Sequence, residues 1–297
     1  MFGIKLNDFF PLAIKVQKRN DGKDYLNIEH KILSQLQNDL AFPKVYYHET
    51  NVEGNILIES LLGPTLKKLF KFSSFNLDIK TIYNIGLDIL ESFELLHLKG
   101  YVHLDLKLDN VAIQFKDINN DKSNLKCVLL DFGKAINFLN FDKKNGKLKN
   151  IKFGGNKIYS SVNILNGGIP SPKDDLISLI YLLSFLYKGY LPWSFLEEND
   201  KNKYYNNLIK EKEKFCPISS CGNDFSDLNI IFNDLNKISS NDKPNYSLYK
   251  KIFSKFSQNN YNSETKEFRF KWEEKFMTVM REFNYNNDYS LDRKSVV

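Results

Sequence analysis

Residues 101–113 read YVHLDLKLDNVAI, and the fold turns on how this stretch is read. Tyr101-Val102 is a short apolar start and Val111-Ala112-Ile113 a short apolar exit, so two strands bracket a loop. The loop holds His103, Asp105, Lys107, Asp109 and Asn110, too many polar groups for an ordinary tight hairpin. A second acidic loop, Asp131-Phe132-Gly133, directly follows the apolar run Cys127-Val128-Leu129-Leu130. Two loops at strand ends thus offer Asp105, Lys107, Asn110 and Asp131. Magnesium prefers carboxylate and amide oxygens, a lysine neutralises developing charge, and a spare carboxylate orients a hydroxyl nucleophile. The pattern predicts a site for metal-bound phosphate. The competing reading is a chance polar loop before a β-hairpin.

The order H-x-D-x-K-x-x-N followed by D-F-G resembles the catalytic-loop and metal-loop signature of protein kinases. Either piece alone is weak; both in order, each beside an apolar strand, supply the context a motif needs. The D-L-K form, with Lys107 two residues after Asp105, resembles serine/threonine rather than tyrosine kinases.

The chain has 297 residues, enough for one large domain or for two lobes sharing a cleft. Hydrophobic residues make up 42%, sufficient for a sizeable core, and the aromatic content of 14% argues against disorder. The net charge of +6 is spread among asparagines and acids. It reads first as a solvated surface and second as attraction to acidic or phosphorylated partners. No basic stripe with interleaved aromatics points to nucleic acid. Cys127, Cys216 and Cys221 lack a nearby histidine and do not read as a zinc site, so a reducing compartment, cytoplasmic or nuclear, is expected. The start lacks an apolar signal segment, and the longest apolar run, residues 177–187, is too short to span a bilayer.

Taken in order, residues 2–6 and 9–16 read as strands. The second carries Leu12-Ala13-Ile14-Lys15, which resembles the kinase V-A-I-K element whose lysine holds nucleotide phosphates. Residues 24–36 read as a helix with the apolar stripe Leu26, Ile28, Ile32, Leu33 and Leu36. Glu29 lies within the stripe, where a lone carboxylate is costly to bury. Lys15 is the natural partner; the alternative is that Glu29 sits at the stripe's solvent margin. Residues 41–47 and 55–58 read as strands, and Leu61-Leu62-Gly63-Pro64 breaks the pattern. Residues 65–70 start a helix, and 79–100 form a long amphipathic one ending at Gly100. Residues 116–124 read as a polar hairpin tip and 134–163 as a long irregular segment. Residues 174–186 form the most apolar helix, and 201–214 a charged one. Helices at 228–235 and 246–256, a polar insertion at 257–266 and a last helix at 268–283 complete the pass.

Beyond the kinase core, the chain resembles the casein kinase I superfamily, including its vaccinia-related-kinase branch. The residues that carry this are LLGPTL at 61–66 and Ser161-Val162-Asn163, where most kinases have A-P-E. NGGIPSPKDDL at 166–176, GYLPW at 189–193, Pro244-Asn245-Tyr246 and NYNNDYSLD at 284–292 extend it. The resemblance implies an α+β, bilobal fold: a small β-rich lobe with one main helix over residues 1–60, a hinge at 61–66, and a mainly helical lobe over 67–297. It implies ATP and Mg2+ (or Mn2+) as cofactors. Lys15 would hold the phosphates and Glu29 would pair with it. Asp105 would orient the acceptor hydroxyl, Lys107 would neutralise the γ-phosphate, and Asn110 and Asp131 would ligate metal. Asp175 would brace the catalytic loop. Protein substrates, acidic or pre-phosphorylated, and a monomeric state are also implied.

Four departures mark this chain. A glycine-rich loop ahead of Lys15 is missing or reduced to Phe2-Gly3. His103-Leu104-Asp105 lacks the usual arginine. The family's Thr-x-Arg-Tyr is Asn156-Lys157-Ile158-Tyr159, so Asn156 stands where a threonine would touch the catalytic aspartate. The gatekeeper is Glu59 if the hinge is ungapped, or Ile58 with one extra hinge residue. The resemblance makes a serine/threonine kinase the leading expectation; the missing loop keeps a pseudokinase scaffold as the alternative.

Overall fold

β1 (Phe2–Lys5) and β2 (Phe10–Lys18) pair antiparallel and open a four-stranded sheet of order β1-β2-β4-β3, with β3 at Val45–Thr50 and β4 at Gly54–Ser60. This computed structural model describes residues 2–5, 10–19, 24–37, 39–73, 77–114, 126–139 and 156–255; the segments read as 116–124, 257–266 and 268–283 lie outside them. In the β2–β4 register, Ala13 faces Glu59 and Lys15 faces Leu57. Alternation puts these four residues on one face. That face is covered by α1 (Tyr25–Leu36), whose Leu26, Glu29, Ile32, Leu33 and Leu36 are buried. Glu29 therefore lies inside the stripe and not at its margin. Leu26 N–H donates to Gln17 Oε1, tying the helix start to β2.

The strand expected over 41–47 begins only at Val45. Pro43 has no N–H to give a ladder. The preceding backbone turns on Asp39, whose carboxylate accepts Ala41 N–H and whose carbonyl accepts Phe42 N–H.

After β4, residues 61–64 run extended to α2 (Leu66–Phe72). Gly63 N–H donates to Ile113 O, and Ile113 N–H to Pro64 O, so this crossing is pinned to the strand that leaves the catalytic loop. The larger helical part is built on α3 (Ile79–Leu98), capped by Asp78, and on α5, Pro172–Lys188. α5 starts on a capping box of Ser171 and Asp174 with Pro172 in its first turn. The short strands β5 (Tyr101–Val102), β6 (Val111–Ile113), β7 (Cys127–Leu129) and β8 (Ile136–Asn137) pair as β5–β8 and β6–β7. Helices α4 (Val162–Leu165), α6 (Lys201–Glu213), α7 (Pro217–Cys221), α8 (Ser226–Lys237) and α9 (Tyr246–Phe253) complete the described chain. α9 lies against α3, where a Cβ on Gly86 would come within 2.3 Å of the Phe253 ring, so only glycine permits the approach. A small sheet lobe with one main helix and a larger helical lobe is thus the α+β arrangement the sequence led us to expect.

The charged helix α6 hides a lysine. Lys212 is 2% exposed, and its Nζ donates to Ile158 O at 2.8 Å and to Ser160 O at 2.7 Å. The same nitrogen sits 4.5 Å from the Tyr181 ring centroid and 4.4 Å from that of Trp193. Trp193 Nε1–H also donates to Ile158 O. A neutral amine has two N–H donors, which the two carbonyls use in full. Burial pushes the Lys212 pKa down to about 6. The unfolded chain therefore holds this proton up to about 10.5 while the folded chain releases it near 6. Between those values the unfolded state binds more protons, so stability rises with pH, by at most about 1.4 kcal/mol per pH unit. Lys212→Met keeps the volume and removes the donors. At pH 10 we expect a loss of about 1–3 kcal/mol, for the undonated carbonyl of Ser160, and a flatter pH profile between 6 and 10, so that the loss shrinks and then reverses toward pH 6. Denaturant melts across that range check both; parallel profiles for the two proteins would show the ammonium form buried.

Candidate active site

Between β5 and β6 the chain makes a loop and one 3-10 turn, Leu108–Asn110, and a single buried carboxylate holds it in shape. Asp175 on α5 accepts His103 N–H at 2.7 Å and Leu104 N–H at 2.8 Å, as the sequence suggested. Its Oδ2 also meets His97 Nε2, and His97 Nδ1 meets the Tyr246 hydroxyl. Leu104 adopts φ 61, a left-handed conformation a branched residue adopts only when its surroundings enforce it. The Leu104 side chain is half-buried and its backbone is taken up by Asp175, so this position serves as a backbone clamp.

His103 links the two loops. Its Nε2 bonds Leu130 O at 2.9 Å, and its Nδ1 accepts Asp105 N–H at 3.2 Å. These partners fit the neutral tautomer protonated at Nε2. The pairing of β6 with β7 then brings Asn110 beside Asp131. Asn110 Nδ2 donates to Asp105 O at 2.9 Å and lies 3.5 Å from Asp131 Oδ2. Asp131 is the second non-glycine residue with positive φ, at 63°.

Asp105 is 2% exposed and both its carboxylate oxygens are engaged. Oδ1 accepts Asn156 N–H at 2.9 Å. Oδ2 receives Lys134 Nζ at 2.9 Å, Lys107 Nζ at 3.2 Å and, more weakly, Asn110 Nδ2 at 3.4 Å. Asn156, which stands where the resemblance puts a threonine, touches Asp105 through its backbone. Its backbone N–H reaches Asp105, while its side-chain Oδ1 turns back to accept Ile158 N–H.

The small lobe brings a second charged group to the cleft. Lys15 Nζ lies 3.0 Å from Glu29 Oε1 and 2.8 Å from Glu59 Oε1. Glu59, 3% exposed, shares the Lys15 face of the sheet, while Ile58 points the other way, so Glu59 is the residue that enters the cleft. Burial disfavours the Lys15 ammonium, but the two carboxylates outweigh it and hold its pKa above the ordinary lysine value. Burial raises the Glu59 pKa; Lys15 opposes this and Glu29 adds to it, leaving the carboxyl above its ordinary range. Glu59 Oε2 is buried with no hydrogen-bond partner among the described residues. Glu29 Oε1 also accepts Phe132 N–H at 3.2 Å, so α1, β2 and the Asp131 loop meet at one carboxylate. Phe132 stacks edge-on against His103, with centroids 5.3 Å apart. Gly133 lies so close to Tyr25 that a Cβ there would sit 2.9 Å from the Tyr25 Cβ.

Asn156 leads into Ser161-Val162-Asn163. Ser161 Oγ donates to Asp174 Oδ1 at 2.6 Å and accepts Ile164 N–H at the start of α4. Asn163 Nδ2 donates to both Asp174 oxygens and to Ile169 O. A serine and an asparagine anchored on a buried aspartate thus fix the end of this segment to α5.

Lys15, Glu29, Asp105, Lys107, Asn110 and Asp131, the six residues singled out by sequence, converge here. Sequence reasoning missed Lys134 and Lys212, and left Glu59 undecided. Strand parity from Lys15 could have narrowed the choice to Glu59, because Lys15 and Glu59 share a face in every second register of the β2–β4 pair, the observed one included. The hard oxygens of Asn110 and Asp131 suit a magnesium ion, which takes one or two protein groups and completes its shell from phosphate and water.

Glu59→Gln tests the crowding of carboxylates around Lys15. A carboxyl whose folded pKa is raised binds its proton more tightly when folded, so its contribution to stability is lost as pH rises through that range. The Gln variant lacks this loss. We expect it to match the parent near pH 4.5 and to be more stable by about 1 kcal/mol at pH 8, or about 2 °C in Tm. A destabilised variant at pH 8 would mean that Lys15 needs both carboxylates.

Among the described residues no helix is long and apolar enough to cross a membrane. Protein kinase domains act on protein substrates and generally use ATP with a divalent cation, and the lobes, paired loops and crossed ion pair described above are their framework. A family model described as protein kinase domain matches residues 8–267, and on that match the chain belongs to the protein kinase domain family.

Proposed function

We propose that the chain is a magnesium-dependent serine/threonine protein kinase of casein kinase I type, with residues 1–60 and 67–297 as its lobes and 61–66 as the hinge. The observation that carries this reading is the gathering of Asp105, Lys107, Asn110 and Asp131 at the ends of paired strands, facing the Lys15–Glu29 ion pair. In this reading Lys15 binds nucleotide phosphates, and Glu29 holds its ammonium in place. Asn110 and Asp131 hold the metal, which supplies charge neutralisation to the phosphates. Asp105 accepts the hydrogen bond of a serine or threonine hydroxyl and Lys107 faces the γ-phosphate. The hydroxyl oxygen bonds to the γ-phosphorus, and the bond from that phosphorus to the β–γ bridging oxygen breaks. The electron pair leaves on ADP, and the hydroxyl proton passes to Asp105 and then to solvent.

Serine and threonine acceptors are supported by the D-L-K spacing. The casein kinase I likeness is supported by the anchoring of Ser161 and Asn163 on Asp174. The net charge of +6 agrees with acidic or phosphorylated substrates. The alternative, a scaffold on a kinase fold, is favoured by one observation: both carboxylate oxygens of Asp105 already accept the chain's own donors.

Two measurements separate these readings. Saturating ATP should raise Tm only when magnesium or manganese is present, since a ligand stabilises the state it binds; an unmoved melting curve favours the scaffold. Radiolabelled γ-phosphate should pass to casein on serine and threonine, with phosphotyrosine as the opposing result. Asp105→Asn should lower kcat about 10^2–10^4-fold with ATP affinity nearly unchanged, because its contact matters in the transition state. Asp131→Asn should lower both. Transfer by Asp105→Asn at the parent's rate would remove Asp105 from the reaction.

A further inference from the structure

Two ammonium groups share one oxygen of Asp105: Lys134 Nζ is 2.9 Å from Oδ2 and Lys107 Nζ 3.2 Å from it. The other oxygen is held by Asn156 N–H, which a ligand cannot displace without moving the backbone. A hydroxyl that approaches Oδ2 meets donors that are mostly lysine side chains, which can move aside. Both lysines reach it on flexible stems from the solvent side, with side-chain exposures of 27% for Lys107 and 30% for Lys134, while the Asp105 side chain is 1% exposed. Like charges this close remain together only while an anion lies between them. A triphosphate offers a stronger anion, and the expected metal ligands Asn110 and Asp131 place it beside Asp105.

We propose that Lys134, directly after Asp131-Phe132-Gly133, is a further catalytic lysine: it rests on Asp105 in the ligand-free protein and moves to the terminal phosphate when nucleotide binds. The move does two things. It adds a cation where charge develops as the γ-phosphoryl leaves ADP for the hydroxyl, and it frees Oδ2 to accept that hydroxyl's proton. This rests on the reading of the site as a phosphoryl-transfer centre. Lys15, by contrast, is held by two carboxylates on the opposite side of the cleft and does not contact Asp105 among the bonds described.

The decisive comparison is between ATP and ADP, because only ATP carries the phosphate that Lys134 would meet. Mg-ATP and Mg-ADP affinities are measured by calorimetric titration for the full chain, for Lys134→Met and for Lys134→Arg, with kcat on casein alongside. We expect Lys134→Met to weaken Mg-ATP about 10–100-fold, as loss of one charge-assisted contact does, and to leave Mg-ADP unchanged. Its kcat should fall, and Lys134→Arg should recover most of both. Melting curves for each variant establish that it is folded, and Lys134→Gln takes the place of Met should that variant not fold. Equal changes for ATP and ADP, or none for either, overturn the proposal. So does a higher kcat with unchanged ATP affinity, which would make the Lys134–Asp105 pair a lock. If the parent protein binds neither nucleotide, the kinase reading falls and takes this inference with it; if it binds both and Lys134→Met affects neither, only the inference falls.

Discussion

The buried carboxylate of Asp175 is the constraint on which the rest depends. It is fully enclosed and accepts two consecutive backbone N–H groups, which forces Leu104 into a left-handed conformation and aims Asp105 into the cleft. Two amide donors and His97 satisfy a charge that would otherwise be costly in the interior. Because Asp175 sits in the first turn of α5, next to the Asp174 that holds Ser161 and Asn163, one helix start fixes both the catalytic loop and the segment facing it.

The cleft is organised as opposed charges that the chain satisfies by itself. Lys15 meets Glu29 and Glu59, and Lys107 and Lys134 meet Asp105. The arrangement keeps each ammonium near the place where an anionic ligand would need it. It also means that a ligand enters by exchange, replacing internal partners and not filling a vacant field. Glu29 ties the two lobes together, since one of its oxygens both holds Lys15 and accepts Phe132 N–H. Moving α1 would therefore disturb the phosphate-side lysine and the metal-side loop together.

The legible parts of the molecule were those decided by local sequence. The loop between β5 and β6 is short, polar and bracketed by apolar strands, so its role could be read directly. The Lys15–Glu29 pair followed from one physical demand, that a carboxylate inside an apolar stripe must find a cation. Lys212 was hidden because α6 is charged on most of its surface, and only the tertiary position of Tyr181, Trp193 and the 158–160 backbone turns one of its lysines inward. Lys134 follows a tripeptide motif that draws attention to Asp131, and nothing local says that its stem reaches back to Asp105. At Asn156 the contact to Asp105 comes from the backbone N–H, and residue identity says nothing of which backbone group will serve.

Leu104 and Asp131, the two non-glycine residues with positive φ among the described residues, also bear on the order in which the molecule assembles. Each costs about 1–3 kcal/mol unless its neighbours enforce it. The bonds that enforce Leu104 come from a residue 71 positions later in the chain. Closing so long a segment is entropically slow, and nothing rewards the strained conformation until it closes. The loop carrying Asp105 therefore reaches its working shape only after α5 has docked, late in folding. A nascent chain that has emerged only as far as β7 holds every residue of the loop but lacks the Asp175 carboxylate that shapes Leu104.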